Sequence, residues 1–585
     1  MRGPVCILAG AGTGKTTAIT RRIANQVASR AFRPTGILAV TFTDKAAGEL
    51  RARLVSLGAV GVQARTFHSA ALAQLRYFDP DAIGRILPSK ALILGSIARS
   101  LPGAFKFRAA GDLATEIEWA RNRRIGPDDY LGALDDHVPP IPSDLMARVF
   151  KRYDQTKRAN GFIDFEDLLE LAIRLFENDE HAAETFRDRY QAFTVDEYQD
   201  VNLLQQTLLE RWLGGRHEVC AVGDDNQAIY GFTGATPRYL LEFAERAQVV
   251  RLEENYRSTP QVLALAGRLA PQLRTALPDG PAPVLRRFAT ADDEATFIVE
   301  RIRAEPCPLE EIAILCRTNA RLAEFEQVLH EAGIPSQGAS LLTREAARFV
   351  LRRLRDGRPI AAQVRELAVS HGWLEQLPER LGDRELTRQS DLGRLVELAE
   401  SLQPATVAAF RDELERRFGT GGQEGRGVHL LTYHAAKGLE FEHVLLPRLE
   451  EKELPSRQAR AAEELEEERR LLYVGITRAK HGLAITWTRQ PSRFLAELGA
   501  EARAPGRTNP ELDSPASVAA LKAWRLERSR ADDVPAYVVF HNSTLEEIAA
   551  RRPRSLRELA GVQGVGPAKL ERYGEEVLAV LAAAG

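Results

Sequence analysis

The sequence predicts an α/β protein of several domains, in which parallel sheets are flanked by helices. Short apolar runs alternate with helix-prone stretches, which is the pattern of parallel strand–helix–strand units. A chain of 585 residues is too long for a single hydrophobic core. The composition changes near residue 500, which indicates a linker before a last domain. The strand candidates are residues 5–9, 37–42, 193–195, 219–222, 312–316, 429–432 and 483–487.

Two long helix-prone segments interrupt these strand candidates. Residues 85–190 are rich in Ala, Leu, Arg and Glu, and residues 345–425 are charged and also helix-prone. Residues 500–516 are rich in Pro, Gly and polar side chains, which is typical of a linker. The sequence therefore predicts two sheet-forming units, each interrupted by a helical insert, followed by a small helical domain.

The composition is that of an ordinary globular protein, with 44% hydrophobic residues. No apolar run is long enough to span a bilayer and the first residues lack the features of a signal peptide, so we expect a cytoplasmic protein without a membrane partner. The four cysteines, at positions 6, 220, 307 and 316, form no CxxC pair, which argues against a zinc site or a disulfide framework. The net charge of −2 gives no sign of a nucleic-acid partner, so any DNA contact has to be inferred from local groups.

The segment LAGAGTGKTT, residues 8–17, has the pattern of a phosphate-binding loop between a strand and a helix. Such a loop points its backbone amides at a phosphate, while Lys15 neutralises phosphate oxygens and Thr16 offers a hydroxyl to Mg²⁺. The strict pattern begins with Gly, where this chain has Ala9. The loop alone fits kinases, transporters and motors equally. The predicted ATP-binding residues here are Ala9, Gly10, Ala11, Gly12, Thr13, Gly14, Lys15, Thr16 and Thr17.

An acidic segment, FTVDEYQD, places Asp196 and Glu197 at the end of an apolar strand. Asp196 is expected to hold Mg²⁺ through water, and Glu197 is expected to orient and deprotonate the attacking water. An acidic pair at a strand end is often only a solvated cap. Because the phosphate loop lies upstream, the catalytic interpretation is preferred.

Eight segments in a fixed order distinguish among ATP-driven proteins. They are TFTDKAAGEL, ARTFHS, DFEDLL, VDEYQD, VGDDNQAIYGFTGA, LEENYRS, LTYHAAKGLEF and EERRLLYVGITRAK. By these segments the chain resembles the UvrD/Rep/PcrA family of superfamily 1 DNA helicases over residues 3–499. The resemblance implies two RecA-like P-loop motor domains, each with a helical insert. It also implies ATP and Mg²⁺ as cofactors and 3′-to-5′ movement on single-stranded DNA.

The resemblance assigns roles around the nucleotide. Gln227 would sense the γ-phosphate. Arg257 and Arg478 would be arginine fingers, a role that suits a guanidinium because it stays charged and binds phosphate oxygens in pairs. Tyr256 would stack on the adenine, and Glu440 would bind the ribose. In the alternative interpretation the two arginines form surface ion pairs, Arg478 with the acidic run that precedes it.

The resemblance also places single-stranded DNA across both motor domains, with bases stacked on aromatic rings in a way that tolerates any sequence. Aromatic residues that follow strands can equally be core residues, and Phe67 is the candidate for that role. The histidines in this set have no Cys or carboxylate at metal-ligand spacing, so a hydrogen-bonding role is preferred over a metal site. The predicted stacking residues are Phe42, Tyr230 and Phe232, and the predicted backbone contacts are Thr66, His68, Thr432 and His434.

The sequence departs from the family pattern at four places. The sequence begins too close to the phosphate loop to contain the glutamine-bearing motif that reads adenine in relatives, so either the true start lies upstream or adenine discrimination is expected to be weak. Thr233 stands where the family has an arginine. Only HGLAITWTRQ separates TRAK from PSRFL, where relatives insert a hairpin that splits the duplex. The second insert is shorter than its family counterpart. We therefore expect a good single-strand translocase that unwinds weakly or needs a partner.

The segment after the linker resembles an HRDC domain, a small helical bundle appended to some helicases and nucleases. Its GVQGVGPAK stretch resembles a hairpin whose free amides bind a phosphate, with Lys569 as a DNA contact. A Gly-rich turn needed only for helix packing is an equal alternative. Capping boxes are expected at Ser543 with Glu546 and at Ser555 with Glu558. The predicted core consists of Leu521, Trp524, Tyr537, Phe540, Leu545, Ile548, Leu556, Leu559 and Val562.

These motifs set the expected domains and partners. The first motor domain is predicted at 1–84 and 186–248 around an insert at 85–185. The second is predicted at 249–344 and 426–499 around an insert at 345–425, followed by a linker at 500–516 and the HRDC domain at 517–585.

The expected partners are single-stranded DNA, tailed or branched duplex DNA, and a repair or replication protein bound through the HRDC domain or the shortened insert. The protein is expected to be a nucleoid-associated monomer or weak dimer that unwinds DNA in repair or replication.

Two other functions stay open. An ATP-driven remodeller that strips proteins from DNA needs no duplex-splitting hairpin, so the shortened segment favours it. A helicase–nuclease subunit ranks lower, because the C-terminal segment offers no clustered metal-binding carboxylates on strands. A metabolic kinase that shares only the phosphate loop is excluded by the eight other motifs.

The missing adenine-reading motif leads to a prediction about nucleotide choice. GTP or another nucleoside triphosphate should compete measurably with ATP, because fewer groups contact the edge of the base. The measurement is inhibition of ATP hydrolysis by added GTP, before and after an N-terminal extension carrying the motif is restored. Strict selectivity for ATP without the extension would contradict the prediction.

Overall fold

Two six-stranded sheets form the framework of the computed structural model. The structure describes residues 2–102, 105, 110–338, 341–375, 383–418, 426–500, 516–531, 539–540, 542–562 and 565–584. Every strand pair in the two large sheets is parallel, as the alternating sequence pattern predicts. No helix of the described residues is long and apolar enough to cross a membrane.

The first sheet carries the phosphate-binding loop on an interior strand. Val5–Ala9 is apolar and largely buried, because neighbouring strands and helices on both faces cover it. The carboxyl ends of parallel strands lie along one edge of a sheet, so the loop and the acidic segment after residue 195 reach the same edge. The strand order is Gln63–Thr66, Ile37–Thr41, Ala192–Val195, Val219–Gly223, Val5–Ala9 and Gln248–Leu252.

The second sheet is built from the later part of the chain. Its interior strand Ile312–Cys316 is buried at every position. The strand order is Val284–Arg287, Ala479–Trp487, Phe441–Leu446, Ile312–Cys316, Val428–Thr432 and Ser336–Gln337. Two short parallel pairs complete the strands, Glu254–Asn255 with Arg274–Thr275 and Arg85–Ile86 with Phe162–Ile163.

Helices surround both sheets. Those in the part of the chain that forms the first sheet are Lys15–Ala28, Asp44–Ser56, Phe67–Phe78, Ala91–Arg99, Ala110–Asn122, Ser143–Ala159, Phe165–Asn178, Glu180–Arg189, Leu203–Leu213 and Arg238–Arg246. Those in the part that forms the second are Pro260–Ala266, Ala291–Ala304, Asn319–Glu331, Glu345–Arg353, Ile360–Ser370, Asp383–Leu402, Val407–Phe418, Ala462–Ile476 and Phe494–Glu497. The C-terminal bundle contains Ala516–Ala531, Asn542–Arg551, Leu556–Leu559 and Pro567–Ala584.

The helix-prone segments form cores of their own. Among the described residues, buried apolar side chains between Leu87 and Tyr153 pack into one cluster, and those between Leu341 and Leu414 pack into another. The helices Phe165–Asn178 and Glu180–Arg189 instead join the core of the first sheet, where Phe186 of the second helix packs against Trp212. The end of the first helix-prone segment is therefore part of the sheet unit's own packing.

The C-terminal bundle confirms most of its predicted core. Leu521, Phe540, Leu545, Ile548, Leu559 and Val562 are buried together, and Trp524 packs against them. The prediction for Leu556 is wrong, because this side chain is 39% exposed at the start of its helix. Ser555 caps that helix by accepting a hydrogen bond from the Glu558 amide. Tyr537, the side chains of Ser543 and Glu546, and residues 501–515 of the linker lie outside the described residues.

All seven predicted strands are present, with ends that differ by a few residues. Nine further strands of the described residues were not predicted, and five of these have only two residues each. Gln63–Thr66, Gln248–Leu252 and Val284–Arg287 lie at sheet edges, where polar side chains alternate with apolar ones and weaken the apolar signal. The fourth of the longer strands, Phe441–Leu446, carries polar residues at its start, including His443, which is buried beside Glu305.

Trp212 tests the packing of the first sheet. The Trp212→Ala variant should lose about 3–5 kcal/mol of unfolding free energy, because it leaves a large cavity and an unpaired amide. Its ring is fully buried and stacks on Phe67 at 5.7 Å, and its Nε1 donates to Gln74 at 3.1 Å. Thermal unfolding should show the loss in the transition of the first sheet. The control Tyr77→Ala, at a 71% exposed ring, should change stability little, and equal losses would contradict the packing argument.

Candidate nucleotide and DNA site

The phosphate loop is held open by glycines with left-handed backbone conformations. Helix Lys15–Ala28 begins directly after Gly14, whose φ is 80°, so the first helical amides face the loop. Gly12 has a φ of 69°, and a Cβ added there would lie 2.5 Å from Asn255 Nδ2. A side chain at position 12 would therefore push the second sheet unit away from the loop.

Lys15 lies between the loop and the acidic strand end. Its Nζ is 3.5 Å from Glu197 Oε1, and no hydrogen bond from the described part of the chain satisfies it. Although burial opposes its charge, the carboxylates of Glu197 and Asp224 raise the pKa of Lys15 above its usual range. A buried ammonium without a full complement of acceptors fits a site for phosphate oxygens.

The acidic pair occupies a strained turn after strand Ala192–Val195. Glu197 has a φ of 52°, which is uncommon for a residue other than glycine and typical of functional sites. Gln199 Nε2 donates to Glu197 Oε2 at 2.5 Å. Against the effect of burial, Lys15 and Lys437 lower the pKa of Glu197, while burial and the Glu197 carboxylate raise the pKa of Asp196. The neighbouring cations thus favour the charged form of Glu197, which suits a residue that orients and deprotonates water.

Gln227 connects the two sheet units. Its Nε2 donates to Asp224 Oδ2 at 2.5 Å, and its Oε1 accepts from Arg478 Nη2 at 3.3 Å. Arg478 is 2% exposed and also donates to the carbonyl of Val474 at 2.9 Å. The alternative that Arg478 is a surface ion-pair partner is therefore wrong, because its guanidinium is buried at the contact between the units.

The segment 254–257 brings the other predicted nucleotide residues to the loop. The Tyr256 amide donates to the Gly12 carbonyl at 2.9 Å, and the Tyr256 side chain is 69% exposed. Arg257 Nε donates to Glu440 Oε2 at 2.7 Å, and its Nη1 donates to the Thr477 carbonyl at 3.2 Å. The structure thus brings together Arg257 and Glu440, two side chains that the sequence places far apart.

The positive charges around the loop repel one another. Burial and the nearby Arg257 guanidinium lower the pKa of Arg478. Two guanidiniums and the Lys15 ammonium at one cleft fit an anion as large as a triphosphate. Thr16, in the first turn of its helix, and Asp196 are oxygen donors of the type that Mg²⁺ prefers. The donor set therefore fits a nucleotide bound with Mg²⁺.

Several polar residues at this cleft were not predicted as site residues. Asn255 Nδ2 donates to the Ala11 carbonyl at 2.7 Å. Lys437 Nζ donates to Asp200 Oδ2 at 2.5 Å and to the Gln227 carbonyl at 2.6 Å. Both residues stand inside motifs used for the resemblance, LEENYRS and LTYHAAKGLEF, and this position within a motif is the signal that could have found them.

Three of the predicted DNA-contact side chains form one aromatic group. Phe232 is 46% exposed, with its ring centroid 6.1 Å from that of Tyr230 and 5.5 Å from that of His434. Burial and the nearby Arg317 and Lys437 lower the pKa of His434 to about 3, so it is neutral at physiological pH. An exposed Phe232 ring and a half-buried Tyr230 ring beside a neutral imidazole fit base stacking with hydrogen bonding.

Three further DNA candidates lie at or just after the ends of strands of the first sheet. Phe42 is half-buried edge-on against Phe67, which is itself a core residue as predicted. The Thr66 hydroxyl caps helix Phe67–Phe78 by accepting from the Ser69 amide. Burial and Lys90 lower the pKa of His68 to about 4.

The last two predicted DNA contacts are Thr432 and Lys569. Thr432 ends a strand of the second sheet, where its hydroxyl accepts from the Ala435 amide at 3.3 Å. Lys569 is in the C-terminal bundle, with its ammonium 5.3 Å from the centre of the Phe540 ring.

Two parallel sheets that meet at a phosphate-binding loop define a P-loop ATPase with two motor units. The model of the UvrD/REP helicase N-terminal domain matches residues 1–248, and that of the UvrD-like helicase C-terminal domain matches residues 250–356 and 376–490. The HRDC domain model matches residues 514–581. The chain belongs to the UvrD-like family of ATP-dependent DNA helicases.

Named relatives extend over most of the chain. ATP-dependent DNA helicase UvrD2 of Mycobacterium tuberculosis (strain ATCC 25618 / H37Rv) is 39% identical over 675 aligned positions, which cover 99% of this chain and 96% of the relative. ATP-dependent DNA helicase PcrA of Leuconostoc citreum is 30% identical and covers 85% of this chain and 83% of its own. DNA helicase II of Escherichia coli (strain K12) is 29% identical and covers 86% of each.

The ion pair between Lys15 and Glu197 leads to a prediction with two opposite effects. Glu197→Gln should slow ATP hydrolysis at least about 10²-fold, because the carboxylate expected to activate water is lost. It should also tighten ATP binding about two- to fivefold, because the Lys15 ammonium no longer interacts with a carboxylate. Single-turnover hydrolysis and nucleotide titration measure the two effects.

A matched control separates these effects from a general change of charge. Glu49→Gln neutralises an exposed carboxylate on helix Asp44–Ser56 and should leave both quantities unchanged. Weaker ATP binding by Glu197→Gln would show that Glu197 supports the phosphate site instead of competing for Lys15.

Proposed function

We propose that this chain is an ATP-dependent DNA helicase that moves 3′ to 5′ on single-stranded DNA and separates duplexes in repair or replication. The observation that carries the proposal is the loop 224–234, which holds Gln227 at the nucleotide cleft and Tyr230 with Phe232 at the exposed aromatic group. One short segment therefore adjoins both the proposed ATP site and the proposed DNA site. Such a segment can transmit a change at one site to the other.

In the proposed reaction Glu197 orients and deprotonates the water that attacks the γ-phosphate. Lys15 and the loop amides hold the phosphates, while Arg257 and Arg478 neutralise charge on the transferred phosphoryl group. Thr16 and Asp196 would hold Mg²⁺, which supplies further positive charge at the phosphates. Because the arginines come from the second sheet unit, hydrolysis requires that the two units be together.

The nucleotide also changes the partners of charged residues at the cleft. Arg257 now bonds Glu440, and Arg478 now bonds Gln227. A triphosphate would draw both guanidiniums toward its oxygens, and release of phosphate would return them to their present partners. We infer that this exchange closes and opens the cleft during each cycle.

The proposed DNA track runs across both units. Tyr230 and Phe232 belong to the first unit and His434 to the second, and their rings lie within about 6 Å of one another. A base stacked on this group would be displaced when the two units move relative to each other. We also propose Phe42, Thr66, His68 and Thr432 as contacts along the strand, and Lys569 as a contact of the HRDC domain.

The proposed domain organisation is a motor with inserts at 85–185 and 345–425, a linker at 500–516 and an HRDC domain at 517–585. The HRDC domain or the shorter insert is the proposed docking site for a repair or replication protein. The protein is proposed to work as a monomer or weak dimer at the nucleoid.

A second candidate function is the removal of proteins from DNA without strand separation. The short connection between residues 487 and 494 in the second unit favours this function. It joins the strand Ala479–Trp487 directly to the helix Phe494–Glu497. That connection leaves little chain for a duplex-splitting hairpin. The two candidates share the motor and differ in its output.

Strand displacement distinguishes the candidates. With ATP and Mg²⁺, a duplex carrying a 3′ single-stranded tail should be unwound and the same duplex with a 5′ tail should not, because the motor has one direction. Glu197→Gln should abolish the activity and serves as the control. Unwinding from the 5′ tail would contradict the polarity. Hydrolysis stimulated by single-stranded DNA without unwinding of either substrate would favour protein removal.

A further inference from the structure

We propose that Asn122, at the end of a helix in the first insert, is a positioning residue that couples ATP hydrolysis to movement along DNA. Its Nδ2 donates to the Thr233 carbonyl at 2.8 Å. Thr233 lies one residue after Phe232 in the loop 224–234. The proposal rests on the function proposed above, because it gives this loop a role in moving DNA.

The loop is attached to the second unit at several points. The Glu467 carboxylate accepts from the Gly231 amide at 3.1 Å, and Arg470 Nε donates to the Ala228 carbonyl at 2.8 Å. Lys437 donates to the Gln227 carbonyl. When the units move relative to each other, these contacts pull the loop toward the second unit. A stepping motor needs an opposing contact that returns the loop to one position on the first unit.

The end of helix Ala110–Asn122 supplies this opposing contact. Gly234 has a φ of 87°, and a Cβ added there would lie 3.1 Å from the Trp119 carbonyl and 3.3 Å from Asn122 Cβ. The loop backbone therefore packs directly against the helix end. The Thr233 hydroxyl donates to the Tyr230 carbonyl within the loop at 2.8 Å. The hydrogen bond between the helix end and the Thr233 backbone is therefore the one that the Asn122 side-chain amide donates.

The helix end is itself rigid. The Trp119 ring is 4% exposed and is stacked on His137 at 3.7 Å with an interplanar angle of 7°. His137 Nε2 is 2.9 Å from Glu116, and the buried Tyr130 hydroxyl donates to the same carboxylate at 2.6 Å. A residue fixed by stacking and a buried carboxylate can hold a mobile neighbour in one position.

The other end of this helix contacts the second insert. The Glu385 amide donates to Asp112 Oδ2 at 3.2 Å. A helix of 13 residues is about 20 Å long, so it connects the second insert to the loop as one rigid rod. The position of the loop is thus set by both inserts as well as by the nucleotide cleft.

The test is the number of ATP molecules consumed per nucleotide moved. Asn122→Ala and Asn122→Asp should each raise this ratio about threefold to tenfold, the factor expected from loss of one neutral hydrogen bond. Hydrolysis without DNA should stay within about twofold of wild type, because the hydrogen bond does not touch the nucleotide site. Asn122→Gln keeps the amide donor and should restore part of the coupling.

Controls keep this proposal separate from the function on which it rests. Asn160→Ala removes a similar bond, from Asn160 Nδ2 to the Thr156 carbonyl at 2.7 Å in the same insert, and should leave the ratio unchanged. A wild-type ratio in Asn122→Ala and Asn122→Asp would overturn the positioning role alone. Absence of DNA-dependent movement in the wild-type protein would overturn the proposed function and this inference together. Thermal unfolding identifies any variant that fails to fold. If one of Asn122→Ala and Asn122→Asp does not fold, the ratio measured with the other tests the positioning role.

Discussion

The contact between the phosphate loop and the segment 254–257 is the constraint on which the rest of the structure depends. It uses backbone groups on the loop, since Asn255 donates to the Ala11 carbonyl and the Tyr256 amide donates to the Gly12 carbonyl. It also requires glycine at position 12, because a Cβ there would overlap Asn255. Backbone contacts fix position more strictly than flexible side-chain ion pairs do. Arg257 therefore reaches the loop because the segment that carries it is already attached there.

Charge balance at the cleft follows from this attachment. The cations Lys15, Lys437 and Arg257 have Glu197, Asp200 and Glu440 as their partners. Each of these ion pairs excludes part of the surrounding water, so breaking one without a replacement is unfavourable. A bound triphosphate offers such a replacement for the cations. Binding and release of nucleotide can therefore reorganise the contact between the units at a modest cost, which a repeating motor requires.

The sequence predicts the parts of this molecule that repeat a strong local pattern. Interior strands such as 5–9 and 312–316 are continuous apolar runs, and the phosphate loop has a fixed spacing of glycines around Lys15. Edge strands with mixed side chains were not predicted because burial on one side leaves a weaker signal. Lys437 was not predicted to be a site residue, because its contacts to Asp200 and Gln227 join positions more than two hundred residues apart. Such pairings depend on tertiary structure, which neither periodicity nor composition records.

The inserts have a larger part in the motor than their position in the sequence indicates. Each interrupts a sheet unit, and a helical insertion could simply be tolerated on the surface. Here one helix ends on the loop that bears Gln227, Tyr230 and Phe232, and its other end contacts the second insert. This helix is therefore a continuous physical connection between the second insert and the loop. If the proposed coupling holds, a change in either insert would alter the position of the loop even when every residue of the nucleotide site is retained.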